Sequence, residues 1–288
     1  MRWQRAPAKI NLTLRVLGRR DDGYHELESL VAFAGLSDWV GFEPADDLAL
    51  EVFGPRAGQI GPVDENLVVR AARSLAAHAP GLRLGRFRLI KRLPAAAGLG
   101  GGSADAAAAL RLLAGEAGLS VGDTRVRASA LATGADVLAC LSPQARIMKG
   151  IGDQLGPAIR LPSIFAVLVN PQVQAPTPKV FAALGLAPGS GPRSADESFP
   201  QAISDRAALL NFLSRRRNDL EAAAIRVAPP IADVLKSLSQ IPEASLTGMS
   251  GSGATCFALF FDRRRAAAAR RTVAAEHPGW WVEATDLR

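Results

Sequence analysis

The pattern of apolar and polar positions predicts a strand near the start of the chain. In KINLTLRVLG, apolar side chains alternate with polar ones, as in a strand with one buried face. The alternating apolar residues are Ile10, Leu12, Leu14 and Val16. The segments DWVGFEP, LALEVFG and LGRFRLIK predict further strands, with Asp46 and Asp47 in the turn between the first two.

Helical spacing first appears in the segment DENLVVRAARSLAAHAPG. Its apolar residues recur every three or four positions, Asp64 is the expected cap, and Pro80 with Gly81 is the expected end. A second helix is predicted at about residues 102–115, directly after a glycine-rich segment. A third, short helix is predicted near DTRVRASALA.

The C-terminal part of the chain alternates predicted strands and helices. IFAVLVNP and WWVEATDL predict strands, and SLTGMSGSGATCFALFF predicts two strands joined by a glycine turn. Helices are predicted in NDLEAAAIRV, PPIADVLKSLSQ and DRRRAAAARRTVAAEH, and the Pro-, Gly- and Ser-rich residues 186–204 predict an exposed, mobile loop. We therefore predict an α+β (mixed α/β) fold of two domains, residues 1–155 and 156–288.

The composition is that of a globular protein and narrows the function. The chain has 288 residues, of which 48% are hydrophobic, and a net charge of +7. It has no apolar run of membrane-spanning length and no signal-peptide pattern, so we expect a cytoplasmic protein that binds no membrane. Aromatic residues are few, at 6%, so we do not expect a nucleic-acid partner, and the positive charge suits a phosphorylated small molecule.

Cysteine and histidine usage does not indicate a metal centre. Cys140 and Cys256 are far apart in apolar surroundings, so we expect two buried free thiols. The three histidines do not form a ligand cluster either.

The segment LPAAAGLGGGSADAAAALRLL predicts a phosphate-binding loop. Gly98 and Gly100–Gly102 lack Cβ atoms, so their backbone N–H groups can approach an anion closely. Ser103 then opens a helix whose dipole and unpaired N–H groups face the same point. The spacing is neither that of a Walker A motif nor that of a dinucleotide-binding loop. The alternative is a turn that only permits close packing.

Three segments carry a resemblance to the GHMP small-molecule kinases. The pattern P-x-x-x-G-L-G-G-G-S-A-D-A-A is similar to their phosphate loop, and PAKINLTLRVLGRRDDGYHEL and LTGMSGSGATCFALF are similar to their other motifs. DENLVVRAA, TGADV, GIGDQL, NPQVQAPTPKVF and NDLE extend the resemblance, in the same order, from about Ala6 to Phe260. The resemblance implies a ribosomal-protein-like N-terminal domain and a ferredoxin-like C-terminal domain.

The segment GRRDDGYHEL resembles one branch of these kinases in particular. That branch implies phosphorylation of the 2-hydroxyl of a diphosphocytidyl methylerythritol, with ATP and Mg²⁺, in the non-mevalonate (MEP) isoprenoid pathway. It implies a monomer or homodimer whose partners are this substrate and ATP. Two alternatives stay open: another GHMP kinase, for mevalonate or homoserine, and a catalytically silent relative that binds nucleotide or nucleic acid.

The resemblance also implies roles for individual residues. Asp136 would accept the proton of the substrate hydroxyl, and Lys9 would keep that carboxylate ionised. The residues implied in ATP binding are Asn66, Lys91, Pro94, Gly98, Leu99, Gly100, Gly101, Gly102, Ser103 and Ala104. The residues implied in substrate binding are Asn11, Tyr24, His25, Asp136, Thr177, Phe181, Gly251 and Gly253.

Some of these residues have simpler explanations. Asp136 alone could cap a helix, and Phe181 could belong to the core. The magnesium ligands are not assigned, although Asp105 and Asp136 are available. Leu138 stands where the family has a proline, so a different backbone path after Asp136 is an open alternative.

Overall fold

A computed structural model describes residues 1–190, 203 and 205–288 of the chain. Its strands are β1 (Arg2–Asn11), β2 (Arg15–Arg19), β3 (His25–Pro44), β4 (Ala49–Phe53), β5 (Gly85–Ile90), β6 (Arg146–Gly150), β7 (Gln154–Ala158), β8 (Ile164–Asn170), β9 (Leu246–Met249), β10 (Cys256–Phe260) and β11 (Trp281–Leu287). Its α-helices are α1 (Leu67–His78), α2 (Gly101–Glu116), α3 (Thr124–Thr133), α4 (Ala135–Leu141), α5 (Thr177–Ala182), α6 (Arg206–Ser214), α7 (Glu221–Val227), α8 (Pro230–Ser239) and α9 (Arg263–Glu276). The predicted loop at residues 186–204 falls mostly outside the described residues.

Contacts divide the chain into two compact units that are not consecutive in sequence. The first unit comprises Met1–Lys9, Leu36–Ala95 and Gly100–Pro143, and the second comprises Ile10–Gly35, Ala96–Leu99 and Gln144–Arg288. The sequence predicted a single division after residue 155. The division by contacts passes through β1, through β3 and through the glycine-rich loop, and the predicted domain boundary after residue 155 stays a prediction.

In the first unit, β5 pairs antiparallel with the C-terminal part of β3 and parallel with β4. The parallel pair requires a crossover connection, and α1 lies in it. Helix α2 packs against α1 and α4 through a run of fully buried alanines, residues 106–109, whose small side chains allow a close approach.

The predicted cap of α1 is wrong. The side chain of Asn66, not Asp64, accepts a hydrogen bond from the N–H of Val68, at 2.9 Å. Asp64 lies in a 3₁₀ turn and forms an ion pair with Arg73 at 2.8 Å on the surface. The predicted apolar face of this helix is buried, as expected from its spacing.

In the second unit, β8 lies between β10 and β11 and pairs antiparallel with both, and β9 pairs with β10. The N-terminal part of β3 pairs with β2 and β6, and β6 pairs with β7. Helices α8 and α9 pack on β8 and β10 around a core that includes Val167, Ile231, Phe260 and Val273. The predicted mixture of strands and helices is therefore confirmed.

The segment KINLTLRVLG is two strands rather than the one predicted. Between β1 and β2 the backbone changes hydrogen-bond partners: the N–H of Leu12 donates to Leu30 O at 2.8 Å, and that of Leu14 to Arg217 O at 3.4 Å. The alternating apolar side chains are buried, but the polar side chains between them, Lys9, Asn11 and Thr13, are buried as well, so the prediction of only one buried face is wrong.

The two cysteines have the environment that the sequence predicts. Cys140 and Cys256 are free and buried, as predicted. Burial raises the pKa of the Cys140 thiol to about 12, so this side chain stays protonated at neutral pH.

Within the described parts of the chain, no helix has both the length and the apolar character needed to cross a membrane.

Candidate active site

The start of α2 has the backbone geometry of an anion site. Gly100 precedes the helix in the left-handed conformation, with φ 59° and ψ 23°, and no side chain caps the helix. The first hydrogen bond of the helix runs from Ala104 N to Gly100 O, at 2.8 Å. The N–H groups of residues 101–103 therefore have no acceptor within the helix and point toward its N-terminal end, where the dipole favours negative charge.

Lys9 and Asp136 form an ion pair beside this helix start. Lys9 Nζ lies 2.9 Å from Asp136 Oδ1, and the Lys9 side chain is only 4% exposed whereas that of Asp136 is 39% exposed. A Cβ placed on Gly100 would lie 3.3 Å from Lys9 Cε and 3.9 Å from Asp136 Oδ2. The pair thus combines a buried cation with a carboxylate that is accessible next to the glycine loop.

Leu138 does not separate the pair. It is buried in α4, and the helix runs without interruption from Ala135 to Leu141. Asp136 lies in the first turn of this helix and still reaches Lys9.

Lys91 occupies a different environment from the one expected for a nucleotide contact. It is buried, and its ammonium donates to Asp38 and, at 2.8 Å, to Asp105 Oδ2. Asp105, one of the two available magnesium ligands, is therefore already engaged inside the first unit. Asn66 also has an internal partner, since it caps α1.

The remaining residues implied in ATP binding differ in their exposure. Pro94, Leu99 and Ala104 are buried, while Gly102 is exposed and Ser103 is partly exposed. Their roles in ATP binding stay predictions.

In the second unit, Gly98 packs directly on the turn between β9 and β10. Ser250 Oγ donates to Gly98 O at 2.8 Å and accepts from the N–H of Asn11 at 3.0 Å. A Cβ on Gly98, whose φ is +74°, would lie 2.4 Å from Ser250 O, so only glycine fits here. Sequence reasoning missed Ser250, although its place in MSGSG was a signal for a tight turn.

Several residues implied in substrate binding surround the same turn. Asn11 Nδ2 donates to Ser29 Oγ at 2.7 Å, and Asn11 Oδ1 lies 3.5 Å from where a Cβ of Gly251 would be. The hydroxyls of Thr177 and Ser252 are 2.7 Å apart. The structure therefore brings Asn11, Thr177 and the glycine turn together within the second unit.

The aromatic residues implied in base recognition lie in the same unit. The rings of His25 and Phe181 have centroids 4.6 Å apart and planes inclined by 32°. Burial, and secondarily the charge of Arg19, lowers the pKa of His25, which favours a neutral imidazole. Tyr24 is 61% exposed, so its ring is free of the core.

Comparison with known proteins identifies the family. The profile of the GHMP kinases N terminal domain matches residues 66–144, and that of the GHMP kinases C terminal matches residues 200–279. The chain belongs to the GHMP kinase family. Membership in this kinase family makes ATP the phosphate donor.

Relatives with high identity belong to one branch of the GHMP kinases. A 4-diphosphocytidyl-2-C-methyl-D-erythritol kinase of Xanthobacter autotrophicus is 56% identical over 287 residues, which are 99% of this chain and 98% of that protein. The protein of the same name from Methylobacterium radiotolerans is 56% identical over 286 residues, with coverage of 99% and 98%. These relatives place the chain in their branch of the GHMP kinase family.

Solved structures agree with this assignment. The crystal structure of a 4-(cytidine 5'-diphospho)-2C-methyl-D-erythritol kinase has a TM-score of 0.75 and 33% identity, and the match covers 99% of both chains. The homoserine kinase of Cytophaga hutchinsonii has a TM-score of 0.67 at 17% identity, covering 97% of this chain and 92% of that one. The second likeness shows the shared GHMP kinase fold alone.

Proposed function

We propose that this GHMP kinase transfers the γ-phosphoryl group of ATP to the 2-hydroxyl of 4-diphosphocytidyl-2-C-methyl-D-erythritol. The substrate is the one named for its relatives at 56% identity. The structural observation that carries the chemistry is the ion pair of Lys9 and Asp136 beside Gly100, at the N-terminal end of α2.

Asp136 would act on the substrate hydroxyl. Phosphoryl transfer depends mainly on positioning and on stabilising charge, together with a carboxylate that orients the attacking alcohol and accepts its proton. The exposed fraction of Asp136 leaves this carboxylate accessible to an alcohol, and Lys9 Nζ lies 2.9 Å from its Oδ1. The buried ammonium would also lower the cost of negative charge that develops on the attacking oxygen.

The loop at the start of α2 would bind the triphosphate through its backbone. The N–H groups of residues 101–103 and the helix dipole attract an anion without any side-chain contact. Mg²⁺ is held mainly by phosphate oxygens with one or two carboxylates, and it would neutralise charge on the transferred group. Asp136 fits this requirement because it is accessible, whereas Asp105 does not, because it is buried and bound to Lys91.

The cytosine would be recognised in the second unit. A neutral His25 can offer one ring nitrogen as donor and the other as acceptor, and the exposed Tyr24 ring can stack on a base. The contact of Phe181 with His25 would fix the orientation of the imidazole. This recognition distinguishes the proposed substrate from mevalonate and homoserine, which carry no base.

The test is ADP release by the full-length protein with ATP and Mg²⁺. Turnover is expected with the diphosphocytidyl substrate and not with mevalonate or homoserine. Asp136→Asn should lower kcat by about 10²- to 10⁴-fold, the usual range for loss of a general base. Asp64→Asn is the matched control, because Asp64 is an exposed carboxylate of the same unit that forms an ion pair with the surface residue Arg73.

Two results would contradict the proposal. Turnover with mevalonate or homoserine instead would assign another GHMP substrate. ATP binding without turnover of any substrate would indicate a silent relative. The cytoplasmic location and the state of monomer or homodimer stay predictions.

A further inference from the structure

Three buried charged residues lie beside Gly101, the first residue of α2. Lys91 follows β5, Asp38 lies in β3 and Asp105 lies in α2, and all three are at most 2% exposed. Lys91 donates to one oxygen of each carboxylate, to Asp38 Oδ2 and to Asp105 Oδ2. A Cβ on Gly101 would lie 3.5 Å from Lys91 Nζ, so the cluster is in contact with the start of the helix.

Asp38 also forms hydrogen bonds with the backbone at the entrance to the glycine loop, the two residues that precede it. Its second oxygen, Oδ1, accepts hydrogen bonds from the N–H groups of Arg92 and Leu93, at 2.5 and 2.9 Å. These are the two residues directly before Pro94, where the loop pattern begins. Asp38 therefore accepts on both oxygens, from three donors.

Asp105 is used differently. Its Oδ2 accepts from Lys91, but its Oδ1 is buried without a hydrogen-bond partner among the described residues. One ammonium between two carboxylates leaves one negative charge in excess if both are ionised, and a buried excess charge is costly. A proton on Asp105 removes this excess, and burial raises the pKa of this carboxyl to about 7 although Lys91 opposes the shift.

We propose that Asp38, Lys91 and Asp105 form a positioning triad that holds the loop entrance and the start of α2 in the geometry that binds the triphosphate. The inference deepens the proposed function and rests on its assignment of ATP to this loop. None of the three side chains needs to touch ATP. Asp38 fixes the backbone before the loop, Lys91 joins it to the helix, and Asp105 fixes the helix.

The two carboxylates should therefore respond differently to the same substitution. An asparagine at position 38 has one acceptor oxygen, so its NH₂ group would face either Lys91 or the paired backbone N–H groups, both of which are donors. An asparagine at position 105 can accept from Lys91 with its oxygen and place its NH₂ group where the protonated oxygen was. Asp105→Ala removes the acceptor altogether, yet alanine is well tolerated in a helix.

The experiment is a fluorescence titration of the full-length protein with mant-ATP and Mg²⁺, together with KM for ATP and for the diphosphocytidyl substrate. Asp38→Asn should raise the Kd of the nucleotide about 10-fold or more, since hydrogen bonds to a buried charge are lost. Asp105→Asn should stay within about 2-fold of the wild type, and Asp105→Ala should bind more weakly than Asp105→Asn. KM for the diphosphocytidyl substrate should not change. An unchanged KM distinguishes a specific effect on the nucleotide loop from a general disruption of the fold.

Nucleotide affinity equal to the wild type in Asp38→Asn would overturn the triad. If Asp38→Asn does not fold, the comparison of Asp105→Asn with Asp105→Ala tests the triad. Equal weakening of nucleotide binding in these two variants would overturn it. Wild-type protein that binds mant-ATP but does not turn over the cytidyl substrate contradicts the proposed substrate and leaves the binding comparison valid. Wild-type protein that binds no ATP overturns both.

Discussion

Gly100 and Gly102 provide a matched test of the loop geometry, because only one of them needs to be glycine for conformational reasons. Gly100 has φ 59° and ψ 23°, a left-handed conformation in which an L-residue costs about 1–2 kcal/mol. A Cβ there would also lie 3.3 Å from both Cβ and Cε of Lys9, closer than an ordinary carbon contact of about 3.5–4.0 Å. Gly100→Ala should therefore lower the free energy of unfolding by at least about 1–2 kcal/mol.

Gly102 lies inside α2, and its Cβ would meet Leu67 Cδ1 at 3.4 Å. Replacing a helical glycine by alanine stabilises by up to about 1 kcal/mol, and this contact reduces the gain. Gly102→Ala should thus leave the free energy of unfolding unchanged or slightly higher, measured by urea denaturation of both variants. Gly100→Ala should also lower kcat in the ADP-release assay, because its methyl group displaces Lys9. A loss of stability in Gly102→Ala as large as that in Gly100→Ala would refute the geometry.

Three further predictions follow from the charged and titratable residues. Lys9→Met should lower kcat by at least about 100-fold with little change in the Kd of mant-ATP, since the buried cation acts on developing charge; unchanged kcat would contradict this. Asp105 binds a proton more tightly in the folded than in the unfolded chain, so the wild type should lose stability as pH rises from 3.8 to about 7. Asp105→Asn should remove that loss. Near neutral pH its free energy of unfolding should exceed that of the wild type by at most about 4 kcal/mol, and at about pH 4 the two should be equal. Urea denaturation of both proteins at each pH measures this difference. Because the pKa of His25 is lowered from 6.5, KM for the cytidyl substrate should be constant from about pH 7 upward and rise only below 6.5; a rise that persists in His25→Gln would assign the titration to another group.

The sequence predicted the elements whose apolar pattern is strong. The strand segments β4, β5, β8, β10 and β11 and the helices α1, α2, α8 and α9 lie where the spacing indicated them. The antiparallel pair β6 and β7 was missed because its burial does not alternate cleanly, and Gly152 forms the turn with φ +105°. The full length of β3 was also missed. Its middle is a continuous run of buried residues, so it lacks the alternation of apolar and polar residues that marks a strand with one buried face.

The candidate site was only partly predictable. The glycine loop has a local signal, because closely spaced glycines before a helix imply a backbone that approaches an anion. Lys9 and Asp136 are 127 positions apart, and nothing local in the sequence pairs them; the resemblance to GHMP kinases supplied that pairing, and the structure places them 2.9 Å apart. Asp38 could not be found, since an aspartate in a strand has no sequence pattern that reveals its three hydrogen-bond donors.

The most direct test of the central claim is the position of the new phosphate in the product. In 4-diphosphocytidyl-2-C-methyl-D-erythritol, carbon 2 carries a methyl group and no hydrogen, whereas the other hydroxyl-bearing carbons carry hydrogen. Phosphorus NMR of the reaction with wild-type protein, ATP and Mg²⁺ should therefore show a new phosphomonoester signal that is not split by a proton three bonds away. A signal that is split in this way, or no phosphomonoester despite ADP release, would contradict phosphorylation of the 2-hydroxyl by this chain.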